Sequence, residues 1–281
     1  MHVLGSSNTP IKGALLLTKF KTLEELKKTI QIKYEINGKP AVHLTHSSSG
    51  REVKSTLKAG ISEIDILNAR DGGFWDRVSL VLNCPYAIIN RKDMARVFTM
   101  ARRRQNLFGE GDLAFYDLAE TSVHNISDDD IAFIPSEDLS EKGYLNTFNH
   151  ITAQAFMTSI FSERLADFIA SKHELRNMPE LVTGEFKEDQ LTDLENGAID
   201  NYVDIINNEW GQELGKELRK KYKIDRKTNW TPELLTNYLN DIQSYYSWAF
   251  QIGFKPYKTS DELVIRYSNK INRVMKGFSD M

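Results

Sequence analysis

Apolar and polar residues alternate along two neighbouring stretches near the start of the chain, over residues 30–36 and 41–46. An alternation with a period of two residues turns one face of a β-strand toward a core. The dipeptide between the stretches, Asn37-Gly38, is typical of a type I′ turn. The pattern therefore predicts a two-stranded β-hairpin.

Most of the remaining chain has apolar residues at the three- and four-residue spacing of helices. A short apolar segment over 74–81 begins this part, and Asn90 is expected to cap a helix that reaches about Gln105. Thr231-Pro232-Glu233 combines an N-cap, a proline at the first helical position and a first-turn acid, so a helix is predicted from there to about Phe250. The predicted fold class is mainly α, a helical domain with a small N-terminal α+β module that holds the β-hairpin.

Breaks in the pattern suggest three parts. Asp71-Gly72-Gly73 is expected to end the N-terminal module, 1–72. A helical domain with a polar site is expected over 73–224, and helices over 225–281 are expected to pack on it.

Two histidines in apolar helical sequence suggest where the site lies. One straight helix would separate His150 from His173 by roughly 35 Å, because each residue adds about 1.5 Å. Ser162 can cap a new helix that starts with Glu163. A helix hairpin that turns near residue 161 would bring the two imidazoles together.

A third helix carries polar residues and glycines on one face. Asp204, Asn207 or Asn208, Gly211 and Gly215 recur at three- and four-residue spacing. Glycine inside a helix costs about 1 kcal/mol relative to alanine, so this pair suggests close approach of another helix. We expect this face to dock on the helix hairpin.

The predicted pocket is lined by His150, His173, Glu174, Asp204, Asn207 and Asn208. In one chemical interpretation, His150, His173 and Asp204 hold a divalent metal that activates water. In another, a histidine or Glu174 is a general acid/base that Asp204 and the asparagine amides orient. In a third, the same residues form a buried hydrogen-bonded network without catalysis.

Composition limits the classes of partner and of metal site that can be expected. The formal net charge of the 281 residues is −3, and acidic and basic residues are mixed, so nucleic acid is not expected as a partner. Cys84 is the only cysteine, which excludes an internal disulfide and a thiolate-rich zinc site. The first residues lack a secretory-signal pattern and no apolar run has transmembrane length, so synthesis in the cytoplasm without a signal peptide is expected.

Four short motifs carry a resemblance: Asn149-His150-x-x-Ala153, Glu163-x-x-Ala166, His173-Glu174 and Asp204-x-x-Asn207-Asn208-x-x-Gly211-x-x-x-Gly215. Their order resembles an uncharacterised domain of bacterial polymorphic toxins, often found at the C-terminal end of RHS-repeat proteins. That family usually reads R-H-A, then H-E, then D-x-x-N-N-x-x-G. The likeness covers residues 74 to about 222, and the sequence departs from it at Asn149, where the family generally has arginine.

The resemblance implies a secreted antibacterial effector that is delivered into a target cell, with a cognate immunity protein and a component of a secretion apparatus as partners. Together with the predicted site, it favours a hydrolase that acts on a cell-envelope component, ahead of nucleotide or lipid. The alternative is a non-enzymatic effector or interaction protein that binds and blocks a target, in which the polar cluster is purely structural.

Overall fold

The computed structural model describes residues 12–73, 79–81 and 83–277, excluding the side chains of Arg70 and Asp71. The chain is mainly helical, with one small antiparallel sheet near its start, which confirms the predicted fold class. Most of the predicted apolar segment at the start of the helical part, 74–78, lies outside the described residues. No helix in the described ranges is long and apolar enough to cross a membrane.

The sheet consists of β1 (Ile30–Glu35), β2 (Ala41–Ser48) and β3 (Arg51–Lys58). The earlier helices are α1 (Leu23–Lys27), α2 (Glu63–Asp71), α3 (Pro85–Ile89), α4 (Arg91–Met100), α5 (Gln105–Phe108), α6 (Phe115–His124) and α7 (Asp128–Ile131). The later helices are α8 (Tyr144–Ile160), α9 (Glu163–Asn177), α10 (Glu188–Thr192), α11 (Ala198–Tyr222), α12 (Pro232–Phe250) and α13 (Glu262–Lys276). Short 3₁₀ turns cover Leu17–Lys19 and Pro179–Val182.

The predicted hairpin is present, but its turn is not type I′. Glu35 pairs with Ala41, which leaves five residues between β1 and β2. Gly38 has a positive φ and Asn37 does not, whereas a type I′ turn requires positive φ at both central residues. The tight turn lies instead between β2 and β3, where Ser49 and Gly50 both have positive φ, 51° and 78°.

The sheet packs on the first half of α11. β2 is its central strand, and β3 turns alternate side chains inward. On β2, the buried His46 accepts a hydrogen bond at Nδ1 from Nε1 of Trp210 at 2.9 Å. Burial lowers the pKa of His46 to about 4, which keeps the ring neutral and able to accept. This histidine therefore fixes the sheet to α11.

Two apolar cores meet along α11. One joins the strands and the Pro179–Val182 turn to the helix as far as Trp210. The other contains Leu214 and Leu218 of α11 and the inner faces of α4, α6, α8, α9, α12 and α13. The proposed boundaries near residues 72 and 224 stay predictions.

The helix hairpin predicted near residue 161 is confirmed. α8 ends at Ile160, and the Ser162 side chain caps α9 by accepting a hydrogen bond from the Leu165 amide at 3.2 Å. α11 then packs along α8. A Cβ atom built on Gly211 would lie 2.8 Å from the Ile151 carbonyl oxygen, and one on Gly215 would lie 2.7 Å from that of Ala155. The two glycines therefore allow the close approach that their spacing predicts.

Candidate functional site

His150 on α8 lies at the centre of a network of hydrogen-bonded polar side chains. Its Nε2 is 3.1 Å from Oδ2 of Asp204, and its Nδ1 is 2.9 Å from Oδ1 of Asn208. Asn146 donates to Oδ1 of Asp204 at 2.9 Å, and Asn208 donates to Oε1 of Glu174 at 3.4 Å. The chain of contacts therefore joins α8, α11 and α9.

Helix periodicity explains why these residues meet. Asn146, His150 and Gln154 follow one another at every fourth residue of α8, and their partners on α11 are four residues apart as well. Each such pair is separated by 58 residues along the sequence. A constant offset requires the two helices to run parallel, with one polar pair at about every turn.

The contacts of His150 indicate its charge. Asn208 donates to Glu174 through its amide nitrogen, so its amide oxygen faces the ring, and both ring nitrogens therefore face acceptors. Burial is the largest single influence and disfavours the imidazolium, but Asp204, Glu174 and Asn208 together outweigh it and raise the pKa of His150 to about 10. His150, whose side chain is 17% exposed, is thus a cation at neutral pH and donates from both nitrogens.

Glu174 is the buried acid of this cluster, with 1% of its surface exposed. Burial and the nearby charge of Asp204 raise its pKa to about 7. Burial and Asp204 also raise the pKa of Asp200, one turn earlier on α11. Both acids are therefore poised to carry a proton where ordinary carboxyls are ionised.

His173 is brought to the same region but has a different partner. Its Nδ1 is 3.2 Å from Oε2 of Glu63 at the start of α2, and the same oxygen accepts a hydrogen bond from Arg176 at 3.2 Å. Contact with His173, opposed by burial and aided by Arg176, lowers the pKa of Glu63 to about 2. The contact with Glu63 also raises the pKa of His173. This carboxylate–imidazole pair holds the ring from its Nδ1 side.

A cavity of about 230 Å³ connects these groups. Its polar lining consists of His150, Glu174, Asn208 and Glu63, with the half-exposed side chains of His173 and Arg102. Its apolar lining consists of Val97, Phe98, Phe115, Met157 and Ile169. A small organic molecule that enters would meet an acid, an imidazole and an apolar wall together.

The structure does not place Asn207 at the site. Its amide group pairs with the Leu15 backbone, accepting from the nitrogen at 2.8 Å and donating to the oxygen at 2.9 Å. Successive helical residues point about 100° apart, so Asn207 and Asn208 cannot face the same neighbours. Asn208 is the asparagine at the site, and Asn207 fixes the segment that precedes the sheet.

The metal ligands suggested from the sequence do not converge. Both nitrogens of His150 are engaged by Asp204 and Asn208, and Nδ1 of His173 faces Glu63. Within the described ranges, no group of three or more His, Cys, Asp or Glu side chains is arranged to hold a metal ion. His150, His173 and Asp204 therefore do not fit a shared divalent metal.

Sequence reasoning missed Glu63, Asn146 and Arg102. Glu63 is distant in sequence, and only the helix start at Ser62 hints at its position. Asn146 is one turn before His150, so the four-residue repeat could have found it. The helix expected to reach Gln105 ends at Met100, so the arginines that follow lie beyond its last turn. Arg102 then reaches the cavity.

Comparisons of the chain with protein-family models, with curated proteins and with solved structures return no match. Fold and site alone define the class, a mainly helical protein with a buried acid, a histidine–carboxylate pair and a small cavity lined by six helices and the segment that follows α4.

Proposed function

We propose that the chain is a hydrolase whose reaction takes place in the 230 Å³ cavity. The observation that carries this proposal is Glu174, a buried acid that borders the cavity and has its pKa raised to about 7. A general acid/base works best when its pKa lies near the working pH. Strongly shifted acids in clefts are functional candidates more often than other acids, although buried networks shift pKa values as well.

Two proton-transfer roles follow from the contacts. Glu174 in its carboxylate form would take a proton from water as the water oxygen attacks an ester or amide carbonyl. His173, whose Nδ1 side is held by Glu63, would give the proton on Nε2 to the leaving oxygen or nitrogen. His150 would act as a positioning residue, since it orients Asn208 and Asn208 orients Glu174.

Replacing Glu174 with glutamine tests this assignment. Glu174→Gln keeps the shape and the oxygen that accepts from Asn208, so the fold should be retained. We expect hydrolysis to fall by about 10²–10⁴-fold, the usual contribution of a general acid/base. The measurement is release of fragments from isolated envelope material by mass spectrometry, with circular dichroism of the same samples.

Glu217→Gln is the matched control, because Glu217 is exposed and lies outside this cavity. It should hydrolyse as fast as the wild type. Full activity of Glu174→Gln would remove Glu174 from the reaction.

The pH profile gives a second test. Because burial and Asp204 raise the pKa of Glu174 to about 7, the base form is scarce below pH 7. We expect kcat/KM to rise up to tenfold per pH unit below about 7, and to fall at high pH as His173 loses the proton it donates. His173→Gln should abolish the high-pH limb. A flat profile between pH 5 and 7 would contradict the role of Glu174.

The biological role we propose is that of a secreted antibacterial effector that attacks a cell-envelope component of a target cell. The support is the resemblance of the four motifs to polymorphic-toxin domains, and the site retains three of the residues in those motifs together, His150, Asp204 and Asn208. An immunity protein and a secretion component are the partners this role requires. Expression in a susceptible bacterium, directed to the envelope, should stop growth for the wild type and not for Glu174→Gln.

A non-enzymatic effector that binds and blocks its target is the second candidate. The hydrogen-bonded ladder between α8 and α11 favours it, because such a ladder fixes helix packing without any reaction. Toxicity that survives in a folded Glu174→Gln variant, with no fragments released, would select this candidate.

A further inference from the structure

The cavity is lined by both apolar and charged side chains. Val97 and Phe98 of α4, Phe115 of α6 and Met157 of α8 present apolar groups to its interior. Its volume of about 230 Å³ is room for about eight groups the size of a water molecule, each taking roughly 30 Å³. A ligand with an apolar body of this size would gain about 25 cal/mol for each Å² it removes from water.

Guanidinium groups gather at the Glu63 carboxylate, which also lines the cavity. Nδ1 of His173 and a guanidinium nitrogen of Arg176 each lie 3.2 Å from Oε2, and a guanidinium nitrogen of Arg102 lies 3.9 Å from Oε1. One carboxylate cannot neutralise both guanidinium groups. The Arg102 side chain is 53% exposed and borders the cavity, so its guanidinium has donors left for a ligand.

Hydrogen bonds to a buried lysine and an aspartate fix the backbone around Arg102. The ammonium of the buried Lys270 donates to the Arg102 carbonyl at 2.9 Å and to Oδ2 of Asp112 at 2.8 Å. The same Asp112 oxygen accepts from the Arg104 amide at 2.6 Å. Arg102 therefore extends from a fixed backbone, although it lies beyond the end of α4.

We infer that the cavity binds a small monocarboxylate with an apolar body, its carboxylate on Arg102 and its body against α4, α6 and α8. A guanidinium pairs with a single carboxylate through two parallel hydrogen bonds, so Arg102 suits a monoanion. The inference rests on the proposed function, for which it names the substrate class: an ester or amide that carries a free carboxylate next to an apolar group.

Calorimetric titration of the full chain with hexanoate, hexan-1-ol and hexylamine tests the inference. The three probes share an apolar chain and differ in the head group. Hexanoate should bind at least tenfold more tightly than the other two. Arg102→Gln should weaken hexanoate binding by at least tenfold and leave hexan-1-ol unchanged. Arg104→Gln, two residues further on and outside the cavity lining, should bind hexanoate as the wild type does.

Equal binding of the three probes, no binding of hexanoate, or an equal loss in both arginine variants would overturn the inference. Comparing the hexanoate titrations with the hydrolysis assays of the wild type and Glu174→Gln separates this inference from the proposed function. If the wild type binds hexanoate through Arg102 but hydrolyses nothing, the proposed hydrolase is wrong and the binding site stands. If hydrolysis depends on Glu174 but shows no preference for carboxylates, the binding site is wrong and the hydrolase stands.

Discussion

Gly211→Ala should lower the free energy of unfolding by about 1–2 kcal/mol, although alanine is the better helix former. The new Cβ would lie 2.7 Å from Cβ of Gln154, 2.8 Å from the Ile151 carbonyl oxygen and 2.9 Å from the Ile151 Cα. Two of these atoms are backbone, so α8 and α11 must move apart. Overpacking of this kind typically costs about 1–3 kcal/mol and outweighs the helix-propensity gain of about 1 kcal/mol. Urea unfolding measures the difference.

Lys220→Ala is the control, because Lys220 lies on the same helix and is exposed. Its effect should stay within about 0.5 kcal/mol. Gly215→Ala should be destabilising too, since its Cβ would lie 2.7 Å from the Ala155 carbonyl oxygen. If Gly211→Ala were as stable as the wild type or more so, the close packing of α8 and α11 would be wrong.

The same helix contact shows what could be predicted from the sequence. The turn near residue 161, the close glycine face and the meeting of His150 with Asp204 all follow from a fixed rise and a fixed angle per residue. Those quantities depend only on the sequence positions within a helix. The pattern could not decide between Asn207 and Asn208, because either spacing from Asp204 is compatible with one broad face.

Contacts between segments far apart in the sequence could not be predicted from helix geometry. Glu63 reaches His173 because α2 packs against α9, and Arg102 reaches the cavity because its helix ends at Met100. Neither fact follows from the spacing of nearby residues. The predicted turn type of the first hairpin was wrong for a related reason. Asn37-Gly38 favours a tight turn locally, but the strand register leaves five residues between the strands.

The contacts also change the role expected for His150. A metal ligand or a general base needs a free ring nitrogen, and both nitrogens of His150 already donate to neighbours. In the proposed hydrolase, proton transfer would therefore fall to Glu174 and His173, while His150 joins α8 to α11 through Asp204 and Asn208. Under that proposal, the catalytic and structural interpretations apply to different members of the polar cluster.

The charge of His150 leads to the second large effect, for Asp204→Asn. In the wild type the folded-state pKa of His150 is raised from 6.5 to about 10. The stability this contributes is full below pH 6.5 and is lost as the pH rises through 10. Without the carboxylate, burial is the stronger influence and the ring should fold neutral, so its contribution is lost as the pH falls below 6.5. We therefore expect Asp204→Asn to cost about 3–5 kcal/mol at pH 6, the usual loss when a buried ion pair is broken.

The loss should shrink steadily toward pH 10. Removing the Asp204 charge also relieves Glu174 and Asp200, whose pKa values that charge helps to raise, and this partly offsets the loss above pH 7. Urea unfolding at pH 6, 8 and 10 measures the trend. Asp128→Asn, which removes an exposed partner of Lys255, should cost at most about 1 kcal/mol at every pH. If the cost of Asp204→Asn were the same at pH 6 and pH 10, His150 would not be the cation that joins these helices.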